Sequence, residues 1–434
     1  MLYVGPLRGP MTGRGRRIAD DAKANAELSR SISPFMLAVY GLGTILGAGI
    51  YVVVGKIIGE AGALAPFAFL AAAAAAALTA FSYAELSARV PESGGSSAFV
   101  AHGFDRKWLT AVVGWALVGT GIVSAATIAT GFVGYLGEVM SVSKWWAVPA
   151  LVGALTFVAA IGVKQSAWFM GLTTAAGLIG LLYVLWFTVP NLAGYPAMLG
   201  EAWSEGSLPG GRGLGIGILL AAFLAFYAFI GFEDLVTLAE EAENPQRSLP
   251  KAIFAALVIS LIFYVLIAAA AVSTLSADRL DESAAPLVDV VKEEGRSGYV
   301  LTGLSLLIIV NGALAQIVMA SRVIHDLGKR RGVSPSWLSH INGSTHTPLL
   351  ATVISGAVVT ALALFLPTEQ LASLTSYIIL GVFFAANAAL VKMKRDGIEA
   401  GGGVRTYPVW VPIGGMIACV LLVVGEAALG GGGH

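Results

Sequence analysis

Long apolar runs alternate along this chain with short polar, basic or Gly/Pro-rich connections. A helix that crosses the hydrocarbon core of a bilayer needs about 20 mostly apolar residues. Eleven runs meet or approach that length, near 35–59, 64–90, 108–139, 147–162, 167–190, 213–240, 251–274, 299–320, 348–366, 369–391 and 410–429. The pattern predicts an all-α polytopic membrane protein with about eleven transmembrane helices. The fourth run is short, and the third is long enough to tilt or to extend past the bilayer. The stretch Ala71 to Ala77 reads as a smooth helix surface for close packing.

Composition agrees with the pattern. The 434 residues are 57% hydrophobic and only 12% charged, with a mean hydropathy of +0.81, whereas soluble domains carry about 25% charged residues. The formal net charge is zero, which argues against a nucleic-acid partner. The single cysteine, Cys419, cannot form an intrachain disulfide and reads as a lipid- or core-facing filler. The histidines, His102, His325, His340, His346 and His434, fall outside the apolar runs without paired spacing, so no metal site is expected.

Residues 1–33 are polar and basic and show no cleavable-signal pattern, which reads as a disordered cytoplasmic tail. The final Gly-Gly-Gly-Gly-His stands outside the fold argument. With the N-terminus inside, 20 of the 26 Lys and Arg fall on the cytoplasmic side. Only Lys56, Lys144, Arg212, Arg279, Lys292 and Arg296 fall outside, a bias that fixes the orientation. The connection from Arg89 to Ala98 reads as a Pro/Gly turn on the inner face. The acidic outer segment at about 275–298 contains Pro286 at a plausible helix start, so a short lid helix and a solvated acidic loop are both open.

Two apolar runs are interrupted. The first contains Gly41, Gly43, Gly47 and Gly49, four glycines in nine residues, each costing a helix about 1 kcal/mol relative to alanine. Such glycines either let another helix pack closely or mark a broken helix whose backbone lines a cavity. The sixth run reads Phe226-Tyr227-Ala228-Phe229-Ile230-Gly231-Phe232-Glu233-Asp234, with one glycine and two adjacent carboxylates. A charge at mid-membrane costs roughly 2.5–3.5 kcal/mol on insertion scales, so Glu233 is a functional candidate, with a hydrogen-bonded structural acid as the alternative. The two runs hold matching places in successive five-span blocks, and an odd span number inverts the second block relative to the first. Paired interruptions of that kind point to a transporter binding site. Half-helix N-termini suit a carboxylate, and freed carbonyls suit an ammonium or metal cation.

These residues resemble the amino acid–polyamine–organocation superfamily of permeases. Gly43-Thr44-Ile45-Leu46-Gly47-Ala48-Gly49-Ile50-Tyr51 is similar to its first-helix signature. Gly231-Phe232-Glu233 and Glu240-Glu241-Ala242-Glu243-Asn244-Pro245-Gln246-Arg247-Ser248-Leu249-Pro250 are similar to its sixth-helix and inner-loop signature. Pro91-Glu92-Ser93-Gly94-Gly95-Ser96 and Asn311-Gly312 through Ser321-Arg322 also fit. The resemblance implies a five-plus-five inverted-repeat fold with discontinuous first and sixth helices. Its repeats would be 34–190 and 212–392, with an additional helix over 408–430.

By the same resemblance, Thr44, Ile45, Gly47, Ala48 and Gly49 present backbone to a substrate carboxylate. Phe226, Phe229 and Ile230 face its ammonium and side chain, Tyr227 is a gating aromatic, and Glu233 is linked to gating or proton coupling. Ala48 stands where many members have Ser. Gly177 stands where several proton-coupled members carry a lysine, so H+ coupling through a lysine is not expected. Members commonly have twelve spans, against about eleven here. No cofactor is implied beyond a coupling ion, H+ or Na+, and exchange or Glu233-linked proton coupling ranks ahead of sodium.

The expected function is secondary transport of an amino acid or related small amine by alternating access in the cell (inner) membrane, with the lipid bilayer and the substrate as partners. A channel built on broken helices is the alternative, and a polyamine or organic-cation exchanger is a further reading. An enzyme would need convergent catalytic groups within the spans.

Overall fold

The structure is a computed structural model that describes residues 32–47, 49–92, 94–161, 167–208, 212–239, 241–329, 334–342, 345, 347–398, 400 and 404–429. The basic tail therefore lies outside the described residues apart from Ile32 and Ser33, and Ala48 also lies outside them. Each predicted apolar run is helical. In lipid, only internal hydrogen bonding satisfies the backbone. The first run is α1 (Pro34–Leu46) and α2 (Gly49–Ala61), and the second is α3 (Ala65–Arg89). A short α4 (Gly95–Phe104) leads into α5 (Lys107–Gly137), α6 (Lys144–Ile161), α7 (Ala167–Thr188) and α8 (Tyr195–Glu205).

The interrupted sixth run begins as α9 (Leu214–Phe226) and continues as two 3-10 segments, Tyr227–Phe229 and Phe232–Leu238. Then follow α10 (Pro245–Thr274), α11 (Ala277–Glu282), α12 (Pro286–Glu293), α13 (Tyr299–Lys329), α14 (Leu349–Phe365), α15 (Thr368–Arg395) and α16 (Trp410–Leu429). Nine helical stretches among the described residues are long and apolar enough to cross a membrane, and two shorter apolar helices, α1 and α14, accompany them. The difference from eleven has two causes. The first run is split, with its second half joined to α3 in one continuous 41-residue stretch, and the ninth run forms α14, which has only 17 residues.

Several helices exceed their apolar runs. Helix α10 starts at Pro245, a residue suited to the first helical turn, and α13 and α15 run on to Lys329 and Arg395. Basic side chains at such ends keep their charge in water while their stems cover apolar surface. The turn expected from Arg89 to Ala98 is shorter than read, because α4 already begins at Gly95. His102 therefore lies on α4, and the extension of α13 to Lys329 makes His325 helical as well. Helix α8 carries no long apolar run and was not expected. Cys419 is buried, so it fills the core.

At the face where α1 begins, a buried charge cluster ties three elements together. Glu85 is fully buried and accepts from Arg89 Nε at 2.9 Å, Lys394 Nζ at 2.8 Å and the Tyr407 backbone N–H at 2.9 Å. Arg89 Nη1 also donates to Ile398 O at 2.7 Å, so the segment before α16 is strapped across α3 and α15. The strap matters because removing one partner of a buried ion pair strands the other charge.

At the opposite face, the acidic segment forms two short packed helices, α11 and α12, rather than a solvated loop. Helix α12 buries Leu287, Val288, Val290 and Val291, and α12 packs on α2, α7, α10 and α13. Close approach of α11 to α2 needs Gly59, where a Cβ would lie 2.7 Å from Asp281 Cβ. Lys56 pairs with Asp281 at 3.1 Å, and Lys292 pairs with Glu138.

Candidate substrate site

The two interruptions meet in the centre of the bundle. Ser33 accepts from Met36 N–H at 3.3 Å to start α1, which runs to Leu46. Gly47 keeps a helical conformation (φ −52°, ψ −52°), and α2 resumes at Gly49. The four glycines divide between the two sequence readings. Gly41 faces the Leu235 side chain and Gly43 faces Thr174, so these two are packing positions. Gly49 serves the breaks themselves, since a Cβ there would lie 2.5 Å from Ala228 Cα.

On the other side, the chain turns at Ile230, which is extended, and Gly231, with φ +126°. L-residues rarely adopt that φ, whereas achiral glycine does so freely. A Cβ on Gly231 would also lie 2.9 Å from the Thr44 carbonyl carbon. Thr44 Oγ1 lies 3.0 Å from Gly41 O and 3.1 Å from Gly231 O, so one proton serves both its own helix and the second break.

Tyr264, on α10, ties the breaks together. Its hydroxyl lies 2.7 Å from Ile45 O and 2.7 Å from Ala228 O. Its ring packs on Phe229 and Phe69, with centroids 5.1 Å and 5.4 Å apart. Carbonyls freed where a helix stops must find a donor, and here the donor is a side chain from a third helix.

A cavity of about 20 Å³ lies against this junction, lined by Thr44, Gly49, Ser124, Ile128, Tyr227, Ile230, Gly312, Ala315 and Gln316. That is room for about one water, so the site is contracted. Tyr227 Oη lies 3.4 Å from Ser124 Oγ across it. Among the described residues no charged side chain lines it, but two buried carboxylates stand close. Glu233 Oε2 accepts from Gly231 N–H at 2.9 Å and so braces the second break, the arrangement of a structural acid. Asp234 Oδ2 accepts from Gln316 Nε2 at 3.1 Å.

Of the sequence-selected residues, Thr44, Gly49, Tyr227 and Ile230 line the cavity. Ile45 contributes its carbonyl to the Tyr264 bond, and Gly47 stands next to Gly312. The rings of Phe226 and Phe229 are core, packed on Phe383 and on Phe69 and Tyr264. Sequence reasoning missed Ser124, Ile128, Ala315, Gln316, Asp234 and Tyr264 as site residues. For Ser124 a signal existed. Thr120, Ser124 and Thr127 recur at helical spacing in an otherwise apolar run.

Comparison with known proteins agrees with this geometry. Over 409 residues the chain is 28% identical to "Cationic amino acid transporter 4, vacuolar" of Arabidopsis thaliana, covering 88% of this chain and 66% of that protein, just under two thirds of its length. It is 26% identical over 412 residues to the methylthioribose transporter of Bacillus subtilis, covering 89% of this chain and 86% of that one. Among solved structures, a substrate-bound, outward-open Na+-coupled sialic acid symporter matches with a TM-score of 0.57 at 13% identity, covering 90% of this chain and 89% of that one. That likeness shows a shared all-helical transporter fold. Residues 32–429 match the amino acid permease family model, so the chain belongs to the amino acid permease family of the APC superfamily, a family of membrane transporters and not of enzymes.

Proposed function

We propose that this permease carries an amino acid or a related small amine by alternating access at the junction of the two broken helices. The observation that carries the reading is the meeting of two backbone interruptions, held by Tyr264 and Thr44, at a buried cavity with no charged side chain among the described residues of its wall. Backbone N–H groups and carbonyls suit the two ends of a zwitterion. The contracted cavity implies that its walls part to admit substrate, from one face at a time.

An inverted pair of five-helix repeats, 34–190 and 212–392, gives the moving parts. Recurrent packing supports it. If α1, α3, α5, α6 and α7 correspond to α9, α10, α13, α14 and α15, contacts recur in pairs. Helix α1 on α10 matches α9 on α3, and α1 on α7 matches α9 on α15. Helix α5 on α15 matches α13 on α7, and α5 on α14 matches α13 on α6. Even the connecting helices correspond, α4 packing on α15 and α12 on α7. The helix over 408–430 is an addition to this core. With 20 of 26 basic residues on one side, the N-terminus is cytoplasmic, in the cell (inner) membrane.

Coupling by a lysine on α7 has no support. Gly177 accepts from Tyr51 Oη at 2.6 Å through its carbonyl, and a Cβ there would already lie 3.1 Å from Ile308. Exchange, or proton movement through Glu233, ranks ahead of Na+. Relatives differ in the substrate their names record, a cationic amino acid in one and methylthioribose in another, so identity alone does not choose the ligand.

A thermal-shift screen of the purified protein against the amino acids and simple amines tests the reading. Ligand at a hundredfold excess over Kd stabilises by about 2.7 kcal/mol, so at least one amino acid or amine raises the melting temperature in a saturable way. A flat response across the whole panel would count against it.

A further inference from the structure

Among the described residues, Glu233 and Asp234 are buried (5% and 4% exposed) without an ion-pair partner. Glu233 has a local role, since it accepts the Gly231 N–H. Asp234 does not. Among the described residues its side chain has one hydrogen-bond partner, the neutral amide of Gln316 at 3.1 Å. An ionised carboxylate offers about four acceptor positions, and burying one with a single neutral donor is costly unless a cation or a proton completes it. Gln316 is at the same time part of the cavity wall, and its Oε1 has no partner among the described residues. The side chain that separates Asp234 from the cavity is thus itself only half satisfied.

We propose that Asp234, reached past Gln316, reads the charge of the substrate side chain and selects substrates that end in an ammonium or guanidinium group. The proposal rests on the amino acid transport reading above and deepens it. The zwitterionic head of the substrate occupies the backbone junction at Thr44, Gly49 and Ile230. As the cavity expands, the side chain extends along α13 from Gly312 towards Gln316. A cationic end there donates to Gln316 Oε1 and completes the coordination of Asp234, whereas an apolar end leaves both unsatisfied. The cost of leaving buried polar groups unmet makes such a site discriminate strongly against an isostere that lacks the donor.

Competition in proteoliposome counterflow tests this with pairs of matched shape and different charge, arginine against citrulline and lysine against 2-aminoheptanoic acid. In the native protein, the cationic member of each pair competes at least about tenfold better, the factor one charge-assisted hydrogen bond supplies. In Asp234→Asn, which keeps shape and removes charge, the ratio collapses towards one. Equal competition by charged and neutral members in the native protein overturns the proposal, even if the variant does not fold. So does an unchanged ratio in Asp234→Asn, the outcome if Asp234 is held as a neutral acid. Counterflow of alanine by the native protein separates the two levels. If alanine is exchanged and charge is ignored, only this proposal fails. If no amino acid is exchanged, the transport reading fails with it.

Discussion

Gly231→Ala abolishes transport while the protein still inserts in the membrane. Two separate penalties fall on this position. At φ +126° an L-residue is strained, which costs of order 1–3 kcal/mol. The added Cβ would also sit 2.9 Å from the Thr44 carbonyl carbon and 3.1 Å from Ile45 N, so the two breaks must move apart. That movement releases the Thr44 bond to Gly231 O, which links the two breaks. Gly49→Val has the same effect from the other side, because it collides with Ala228. Uptake and chromatographic homogeneity, measured on the same preparations, check this. Normal uptake by both variants would mean that these glycines are not needed to bring the breaks together.

Tyr264→Phe has the second-largest effect. The variant keeps the ring that packs on Phe69 and Phe229 and removes only the hydroxyl. Ile45 O and Ala228 O then lose their shared donor. A buried acceptor left without a partner costs about 1–3 kcal/mol, and the loss falls on the contracted state described here. Net uptake drops at least about tenfold, since 1.4 kcal/mol is one factor of ten, and the melting temperature of the unliganded protein falls. Unchanged uptake together with an unchanged melting temperature would remove Tyr264 from the account.

The contrast between these residues shows what the sequence makes legible. Every apolar run became a helix, because bilayer thickness and backbone hydrogen bonding leave few choices. The breaks were visible too. Gly231 next to two carboxylates, and Gly49 at the end of a glycine cluster, contradict their local pattern. The glycine cluster itself was ambiguous. Gly41 and Gly43 turn out to serve packing, and only the neighbours across the bundle, Leu235 and Thr174, distinguish them from Gly49.

Tyr264 gave no signal, since a tyrosine in an apolar helix is ordinary. Its acceptors lie 219 and 36 residues away in the chain. Asp234 was conspicuous beside Glu233, but the division of labour depends on a partner, Gln316, 82 residues distant. Helix ends were the other weakness. Apolar runs mark the part of a helix in hydrocarbon, and α10, α13 and α15 continue beyond it into the polar zone.

Counterflow tests the central claim most directly. Purified protein in liposomes is loaded with an unlabelled amino acid identified by the thermal screen, and entry of the labelled form is followed alongside single-channel recording. A carrier that exposes one junction alternately to each face shows saturable entry, accelerated by internal substrate, with no unitary current. Entry that does not saturate, that ignores internal substrate, or that comes with unitary currents would contradict alternating access at the two breaks.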